Sequence, residues 1–270
     1  MKKLMTLSEA VNLIQNGDVV AIGGNVLHRA PMALVREIVR QEKRNLHIIK
    51  TAGAMDVDLL CLGDCAASVD AGFISYETEY SLASHYRKAV ESGKVVGNEH
   101  ACYTVISALR AAAAGIPFMP VRGLVDSQLI EANPCFTRMK DPFSGETITV
   151  VKALCPDVAL IHVHEADSSG NAYIKGPLYD DILMSRAAKK VILSAERIVS
   201  DQKFAFSEEK AQIPHFLVDA VVKAEKGALP CSCLPNYDID RGHLNSFLRR
   251  RTKEELSAYL NSCERADYKK

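Results

Sequence analysis

Two glycines follow an apolar run near the start of the chain, and an arginine lies a few residues further on. The stretch DVVAIGGNVLHRAPMALVREIVRQ places Gly23, Gly24 and Arg29 between that run and a helical pattern opened by Pro31. Glycine lets the backbone approach a ligand closely, a helix N-terminus offers free N–H groups to an anion, and arginine pairs with phosphate or carboxylate. The stretch lacks the third glycine of a dinucleotide-binding fingerprint and the Gly-Lys-Ser/Thr of a P-loop. On the pattern alone, a plain tight turn is favoured over an anion-binding turn.

Several carboxylates follow apolar runs. Glu77 comes after AGFISY, Glu99 lies in KVVGNEHACYTV before a helical segment, and Glu165 and Asp167 come just after a strand-like run. In an open α/β sheet, the C-terminal ends of the strands line the ligand crevice. A carboxylate there acts as a base, a nucleophile or a hydrogen-bond anchor. Each of the four is a candidate site residue, with a surface residue or a helix cap as the alternative.

Histidines and cysteines offer little that resembles a metal site. His162 and His164 alternate along a strand and therefore share one face, but no third ligand follows at a fixed spacing. A pair of hydrogen-bonded histidines is favoured. The eight cysteines are scattered, and their spacing does not give the paired C-x2-C groups of a zinc site. We expect reduced, mostly buried cysteines and no metal ion.

Short β-rich runs alternate with helical patterns, which predicts an α/β fold around a mostly parallel sheet. The candidate strands are Val19–Ile22, Leu46–Lys50, Ala67–Ile74, Phe118–Pro120, Val158–His162, Ala172–Ile174, Lys190–Ser194 and Asp219–Val222. The candidate helices are Leu7–Asn16, Pro31–Gln41, Leu82–Ser92, Tyr103–Ala114, Asp180–Ala188 and Lys253–Ser262. The least periodic segment, Asp126–Gly145, is interpreted as a long loop or excursion, a kind of segment that often covers a site.

The charge balance excludes several classes of partner. Lys plus Arg and Asp plus Glu are equal at 33 each, so nothing indicates binding to nucleic acid or to an acidic membrane surface. The N-terminal residues form an amphipathic helical pattern rather than the apolar core of a signal peptide. No window is long and apolar enough to span a bilayer. The sequence predicts a soluble, cytoplasmic protein.

As a whole, the sequence resembles the α subunits of the family I CoA-transferases, of the glutaconate CoA-transferase type. The resemblance is carried by the segments IGGNVLHRAPMALVREIVRQ, GFISYETEYSLASHYRKAVESG, ALRAAAAGIPFMPVRG, DPFSGE, CPDVALIHVHEADSSGNAYIKG, AAKKVILSAERIVSD, VDAVVKAEKGALP and NYDID. Their order and spacing match over most of the 270 residues. The resemblance implies the open, mostly parallel sheet flanked by helices of the CoA-transferase (NagB/RpiA-like) fold, with residues 1–270 as a single α-subunit domain.

The resemblance also implies the chemistry and the assembly. The substrate is an acyl-CoA, coenzyme A is a substrate rather than a cofactor, and no other cofactor is needed. A homologous β subunit is the obligate partner, in a heterodimer or an α2β2 heterotetramer. In the family, a glutamate in a Glu-Asn-Gly-like turn of the β subunit attacks the thioester and then carries CoA. Glu77-Thr78, Glu99-His100 and Glu196-Arg197 do not fit such a turn, so the partner is expected to supply the nucleophile.

In relatives the glycine-rich turn commonly reads Gly-Gly-Phe and lies beside the active-site crevice. Here Asn25 replaces the phenylalanine and can donate a hydrogen bond. The resemblance therefore shifts the balance towards a ligand-facing turn. It makes Gly23, Gly24, Asn25, Arg29 and Glu77 the candidate substrate- or CoA-binding residues.

Three functions stay open. The first is CoA transfer. The second is hydrolytic ring cleavage, because some steroid-degrading relatives open a ring of a CoA thioester with an α-subunit glutamate at the position that matches Glu99. Glutaconate-type α subunits have an aspartate near that position, so Glu99, the candidate catalytic residue, fits both branches. The third is a non-catalytic metabolite-binding sensor, although this chain has no spare length for the DNA-binding module that such sensors usually carry.

Overall fold

The computed structural model describes residues 3–206, 208 and 210–267. The strands are β1 (Leu4–Met5), β2 (Val19–Ile22), β3 (Leu46–Gly53), β4 (Ala66–Ile74), β5 (Val96–Glu99), β6 (Phe118–Val121), β7 (Phe136–Lys140), β8 (Thr147–Lys152), β9 (Val158–Asp167), β10 (Ala172–Tyr173), β11 (Lys190–Val199) and β12 (Ala220–Lys223). The α-helices are α1 (Leu7–Val11), α2 (Met32–Arg40), α3 (Met55–Leu62), α4 (Glu77–Tyr80), α5 (Ser84–Glu91), α6 (Cys102–Ala113), α7 (Leu129–Ala132), α8 (Asp181–Ala187), α9 (Lys203–Phe206), α10 (Arg241–Leu248) and α11 (Lys253–Asp267).

The main sheet has the strand order β1-β12-β11-β9-β2-β3-β4-β5, and all of these neighbours are parallel. Strand β10 pairs antiparallel with the end of β9. Every residue of β9 is buried, which explains its continuous apolar start, because helices cover both faces of such a sheet. The predicted α/β fold with an open, mostly parallel sheet is confirmed.

The sheet separates two hydrophobic cores. Along β2 the side chains alternate: Val20 and Ile22 pack with α2 and α3, whereas Ala21 packs with α6 and α8 on the other face. This alternation follows from the two-residue period of a strand. The helices on both faces complete a three-layer arrangement. Consequently the C-terminal ends of β2, β3, β4 and β5 meet at one edge of the sheet, where the candidate residues were expected.

The segment Asp126–Gly145 is more ordered than a loop. It contains α7 and β7, and β7 pairs antiparallel with β8, which also pairs with β6. Ala108 of α6 packs with the apolar side chains of this small sheet. The interpretation as a long loop was wrong, and the segment is an antiparallel excursion that packs on α6.

Strands β9 and β11 continue beyond the predicted ends at His162 and Ser194. They keep pairing as far as Asp167 opposite Val199. Glu165 and Asp167 therefore lie within β9 and not after it, which corrects their expected position. Within the described residues, no helix has both the length and the apolar character that crossing a membrane requires.

Candidate active site

The Gly23-Gly24 turn is packed against the protein's own groups. A Cβ atom on Gly23 would lie 2.5 Å from Asp181 Oδ1, and one on Gly24 would lie 2.5 Å from the carbonyl oxygen of Arg29. Gly24 also has φ +72°, in the left-handed region that favours glycine. Its backbone N–H donates to Asp181 Oδ1 at 2.8 Å. Intramolecular packing is thus sufficient to explain both glycines, as in the plain-turn interpretation.

The carbonyls of the turn are held by a buried lysine that the sequence analysis missed. Lys50 of β3 donates from Nζ to the carbonyl oxygens of Gly23 and Gly24. The same atom lies 3.0 Å from Asp56 Oδ2, and both side chains are fully buried. Removing one partner of a buried ion pair typically costs about 3–5 kcal/mol. A lysine at the end of the apolar run LHIIK was the available clue.

Arg29 binds protein groups rather than lying open to a ligand. Its side chain is buried and forms an ion pair with Asp181. Nη1 also donates to the carbonyl of His162 at 2.9 Å, and Nη2 donates to the carbonyl of Pro177 at 2.9 Å. The expected carboxylate partner exists, but it belongs to the protein. Arg29 therefore ties the turn to β9 and α8, which corrects its assignment as a direct anchor for a substrate phosphate or carboxylate.

Asn25 is the polar residue of the turn that remains available. Its backbone exchanges two hydrogen bonds with His28, each 2.8 Å long. Its side chain is partly exposed, and the amide has no hydrogen-bond partner among the residues that the structure describes. The turn thus presents one free amide beside the edge where the parallel strands end.

Glu77 lies just after β4, at the start of α4. It is exposed and has φ +63°, a conformation that costs a non-glycine residue about 1–2 kcal/mol. The carbonyl of Glu77 accepts the N–H of Ser81 at 2.9 Å, and the short loop formed in this way holds the carboxylate at the surface near the strand ends.

Glu99 is the last residue of β5 and lies opposite Ala71 of β4. Its carbonyl accepts a hydrogen bond of 2.8 Å from Asn133 Nδ2, so the excursion fixes its backbone. The side chain is exposed, and its carboxylate has no hydrogen bond or ion pair with any described residue. Helix α6 begins three residues later, and the positive end of its dipole favours a negative charge nearby. Glu99 is therefore well held in its backbone and free in its carboxylate.

The candidate residues do not form one cluster within this chain. Glu99 lies three strands from β2, and neighbouring strands are roughly 4.8 Å apart. The turn at Asn25 and the carboxylate of Glu99 thus lie roughly 14 Å apart along the edge of the sheet. Glu77 follows β4 between them. The arrangement is a row of groups along the edge, suited to an elongated ligand.

The histidines of β9 are satisfied by the protein, as predicted. His162 contacts Ser194 Oγ at 2.9 Å and Glu196 Oε1 at 2.8 Å. His164 accepts from the N–H of Lys175 and donates to the carbonyl of Leu234. Burial lowers the pKa of His164, which fits a neutral ring.

The two carboxylates of β9 are likewise occupied. Glu165 is buried and forms ion pairs with Arg197 and Lys203. Burial raises the pKa of Glu165, but the hydrogen bonds from these two cations outweigh burial and leave the pKa lowered. Asp167 accepts three backbone N–H groups of the turn at residues 169–171. Both residues shape the chain and are not available to a ligand.

A cavity of about 870 Å³ lies beside the N-terminal end of α6. Its walls come from the small sheet and from Tyr103, which lies one helical turn after Glu99. Most of the lining is apolar, including Phe118, Met139 and Phe143, and Arg122 adds a positive charge. Such a cavity suits an apolar group with a polar or anionic end.

The family model described as Coenzyme A transferase matches residues 4–224 of this chain. The chain belongs to the coenzyme A transferase family. Among curated proteins, it is 31% identical to one of the two subunits of the glutaconate CoA-transferase of Acidaminococcus fermentans, over 96% of this chain and 87% of that one. It is 30% identical to the cholesterol ring-cleaving hydrolase IpdA subunit of Mycobacterium tuberculosis over 98% of this chain and 95% of that one. It is also 36% identical to an uncharacterized Archaeoglobus fulgidus protein over 96% of this chain, but spans only 58% of that protein.

Two solved structures extend the likeness of this coenzyme A transferase chain. The A. fermentans glutaconate coenzyme A-transferase has a TM-score of 0.90 at 28% identity, covering 98% of this chain and 94% of that chain. A variant of the decarboxylase AibA/AibB has a TM-score of 0.88 at 34% identity, covering 98% of this chain and 99% of that chain. Members with three different named activities are thus similar to this chain at comparable identity.

Proposed function

We propose that this coenzyme A transferase chain is the α subunit of a two-subunit enzyme that moves CoA between an acyl-CoA and a carboxylic acid. In this reaction a glutamate of the partner attacks the thioester carbonyl, and the C–S bond breaks. The thiolate of CoA then reacts with the activated glutamyl group, so that the enzyme carries CoA as a glutamyl thioester. A second carboxylate takes over the CoA.

The observation that carries this proposal is the state of the carboxylates in this chain. Glu165 and Asp167 are consumed by internal contacts. Glu77 and Glu99 are free but do not lie in a Glu-Asn-Gly-like turn. A covalent glutamate is therefore expected from a second chain, in keeping with the names of the similar proteins, which are those of single subunits of larger enzymes. The family match leaves the sensor alternative without a supporting observation.

Two features of this chain fit a role beside such a nucleophile. The free amide of Asn25 can donate a hydrogen bond to the thioester oxygen as negative charge develops on it. The cavity at Tyr103 offers room for the acyl group, and its Arg122 suits an acyl group with a carboxylate end. The row of groups between Asn25 and Glu99 then follows the length of an acyl-CoA.

A second function, hydrolytic carbon–carbon cleavage of a CoA thioester, is favoured by Glu99. Its carboxylate is exposed and has no partner among the described residues, while Asn133 holds its backbone in place. That combination suits a general acid/base, which must be positioned and still free to exchange a proton. Under this alternative Glu99 takes a proton from, or positions, the attacking water.

Borohydride trapping separates the two reactions. The complex with its partner is incubated with acyl-CoA, reduced with borohydride, and the modified residue is mapped by mass spectrometry. A reduced glutamate in the partner subunit supports transfer. Absence of a trapped thioester together with hydrolysed product supports the second function. Because a 34% identical structure is a decarboxylase, release of CO2 from a carboxyl-bearing acyl-CoA is measured in parallel, and it would contradict both.

The variant Glu99→Gln tests the same choice independently. It keeps the shape of the side chain and removes its charge, and general acid/base catalysis is worth roughly 10²–10⁴-fold in rate. We expect a loss of kcat in that range for hydrolysis, and a smaller loss, mainly in KM, for transfer. Glu91→Gln, an exposed glutamate on α5, is the control. Full activity of Glu99→Gln on every acyl-CoA tested would remove Glu99 from the site.

A further inference from the structure

Three side chains of metal-ligand type converge beneath Glu99. Asp70 comes from β4, His100 directly follows β5, and Cys135 precedes β7. Asp70 Oδ1 lies 3.2 Å from His100 Nε2 and 3.9 Å from Cys135 Sγ. All three ligand atoms lie within 4.8 Å of one another. Asp70 and His100 are buried, whereas Cys135 is partly exposed and gives access from the surface.

The hydrogen bonds around His100 leave two acceptors facing each other. Thr104 Oγ1 donates to the carbonyl of Ala101 at 2.8 Å, so its hydrogen is used there. It lies 3.3 Å from His100 Nδ1, which must then be the donor of that longer contact. In a neutral ring the lone pair of Nε2 consequently points at the carboxylate of Asp70. A proton or a cation between the two atoms is required, because two buried acceptors otherwise repel each other.

The remaining contacts hold the three ligands in place. Asp70 Oδ2 accepts a hydrogen bond of 3.1 Å from Asn98 Nδ2. The backbone N–H of Cys135 donates to Asn133 Oδ1 at 2.9 Å. The contact from His100 Nδ1 to Thr104 has the form usual for metal-bound histidines, which donate their other N–H to a neighbouring oxygen.

We propose that Asp70, His100 and Cys135 form a zinc-binding site. Zinc prefers four ligands from thiolate, imidazole and carboxylate groups, and a water molecule would complete the set. Tetrahedral bonds of about 2.0 Å to nitrogen and oxygen and about 2.3 Å to sulfur place such donors roughly 3.3–3.5 Å apart. The spacings of 3.2 and 3.9 Å differ from these values by only a few tenths of an ångström. The ion occupies the position between the two facing acceptors.

A second cluster with similar residues does not need an ion. His162, Glu196 and Cys233 are also close together. Both ring nitrogens of His162 have partners, and Glu196 accepts hydrogen bonds from His162, the hydroxyl of Tyr237 and the N–H of Lys226. The acceptors of that cluster are satisfied by protein donors alone. The contrast singles out the Asp70 site.

The position of the site gives the ion a definite effect. It joins β4, the end of β5 and the excursion, which are three separate segments of the chain. His100 is the residue next to Glu99, and Asn133, two residues before Cys135, bonds the carbonyl of Glu99. Zinc at this point fixes the backbone that carries Glu99. The inference replaces the expectation of no metal, which rested on cysteine spacing in the sequence.

Metal content and cobalt spectroscopy test the site without any activity assay, so the result does not depend on the proposed reaction. The full chain, with its partner where the two are co-purified, is stripped with chelator and titrated with Co²⁺ as a spectroscopic substitute for zinc. We expect about one tightly bound ion per chain, with tetrahedral ligand-field bands and thiolate-to-cobalt charge transfer. Zinc should displace the cobalt.

Variants identify the ligands. Cys135→Ser should abolish the charge-transfer band, and His100→Gln should lower bound metal to near zero, with folding checked by circular dichroism. Cys155→Ser, an exposed cysteine elsewhere, and Cys233→Ser in the other cluster should behave as the wild type. Failure of the wild type to bind metal, or an unchanged band in Cys135→Ser, would overturn the proposal and leave a proton between His100 and Asp70.

Discussion

Gly24 has no room for a side chain, and this makes the Gly23-Gly24 turn a test of packing at the scale of single residues. A Cβ atom there would lie 2.5 Å from the carbonyl oxygen of Arg29, and φ is +72°. We expect Gly24→Ala to destabilise the fold by about 1–3 kcal/mol, since a left-handed backbone and a clash act together. A change of 1 kcal/mol shifts the melting temperature by about 2–4 °C in a chain of this size.

Gly93→Ala is the matched control for this prediction. Gly93 has φ +73°, but nothing lies within 4 Å of a Cβ built on it. It therefore reports the cost of the left-handed conformation alone. Gly24→Ala should lower the melting temperature clearly more than Gly93→Ala. Equal effects would mean that the turn relaxes, and that its glycines are required for something other than internal packing.

At the same scale, the residues that hold the site were the hardest to find in the sequence. Gly24, Asn25 and Glu99 follow apolar runs, which is a local pattern, and the structure places them where parallel strands end. Lys50 and Asp181 could not be assigned, because their partners lie 26 and 157 residues away from them along the chain. A single sequence contains no information on such pairings. Arg29 was noticed for its charge, but its partner Asp181 reversed its expected role.

At the scale of elements, α5 is capped by a residue from another helix. No side chain of its own N-cap residue makes the bond. Instead Asp58 of α3 accepts from the backbone N–H groups of His85 and Tyr86 at 2.8 and 2.9 Å, and from the hydroxyl of Tyr76 at 3.0 Å. Burial nevertheless raises the pKa of Asp58 to about 6, against the effect of these hydrogen bonds.

This raised pKa predicts a pH-dependent contribution to stability. The contribution of Asp58 is fully present below its ordinary pKa near 3.8 and is lost as the pH rises through about 6. The shift corresponds to about 3 kcal/mol. Asp58→Asn keeps an acceptor for both N–H groups and cannot ionise. Urea unfolding of both proteins between pH 4.5 and pH 7.5 (about the range in which the group titrates) should show the wild type losing stability relative to the variant as pH rises.

His85 makes the comparison with the variant necessary. Burial lowers its pKa to about 4, so its contribution is present above about 6.5 and is lost as the pH falls. The two residues thus oppose each other in the wild type, whereas the difference between the two proteins isolates Asp58. A difference that is constant with pH would show that the carboxyl group titrates normally in the folded protein.

The elements that the sequence did not predict share a physical cause. Helix α3 is buried around most of its surface, so MDVDLLCL shows no amphipathic period to detect. Strand β7 is mostly exposed and polar, and its partner β8 is what makes it a strand. Strands β2, β3 and β4 were found because they are apolar runs between helical patterns. Local pattern thus predicted the parallel sheet, and tertiary pairing decided the excursion.

At the scale of the whole molecule, the two edges of the main sheet differ in what surrounds them. Strand β5 forms one edge and carries the exposed Val96, with Phe73, Leu82 and Tyr103 also exposed in neighbouring segments. Glu99 lies in the same strand. Strand β1 forms the other edge and has Leu4 exposed. An edge strand with exposed apolar neighbours is a surface on which another chain can dock.

We therefore expect the partner subunit to cover the β5 edge, where it would bring its glutamate towards Glu99 and Asn25. Co-expression with the homologous β subunit should give a complex of one or two αβ pairs by native mass spectrometry, with activity only in the complex. Val96→Asp should weaken this assembly, because it places a charge in an apolar contact, whereas Leu4→Asp at the opposite edge should leave it intact. The two exposed positions, 59% and 49% accessible, are similar enough for a direct comparison. A fully active monomer of this chain would refute the need for a partner, and equal assembly of the two variants would place the partner on another surface.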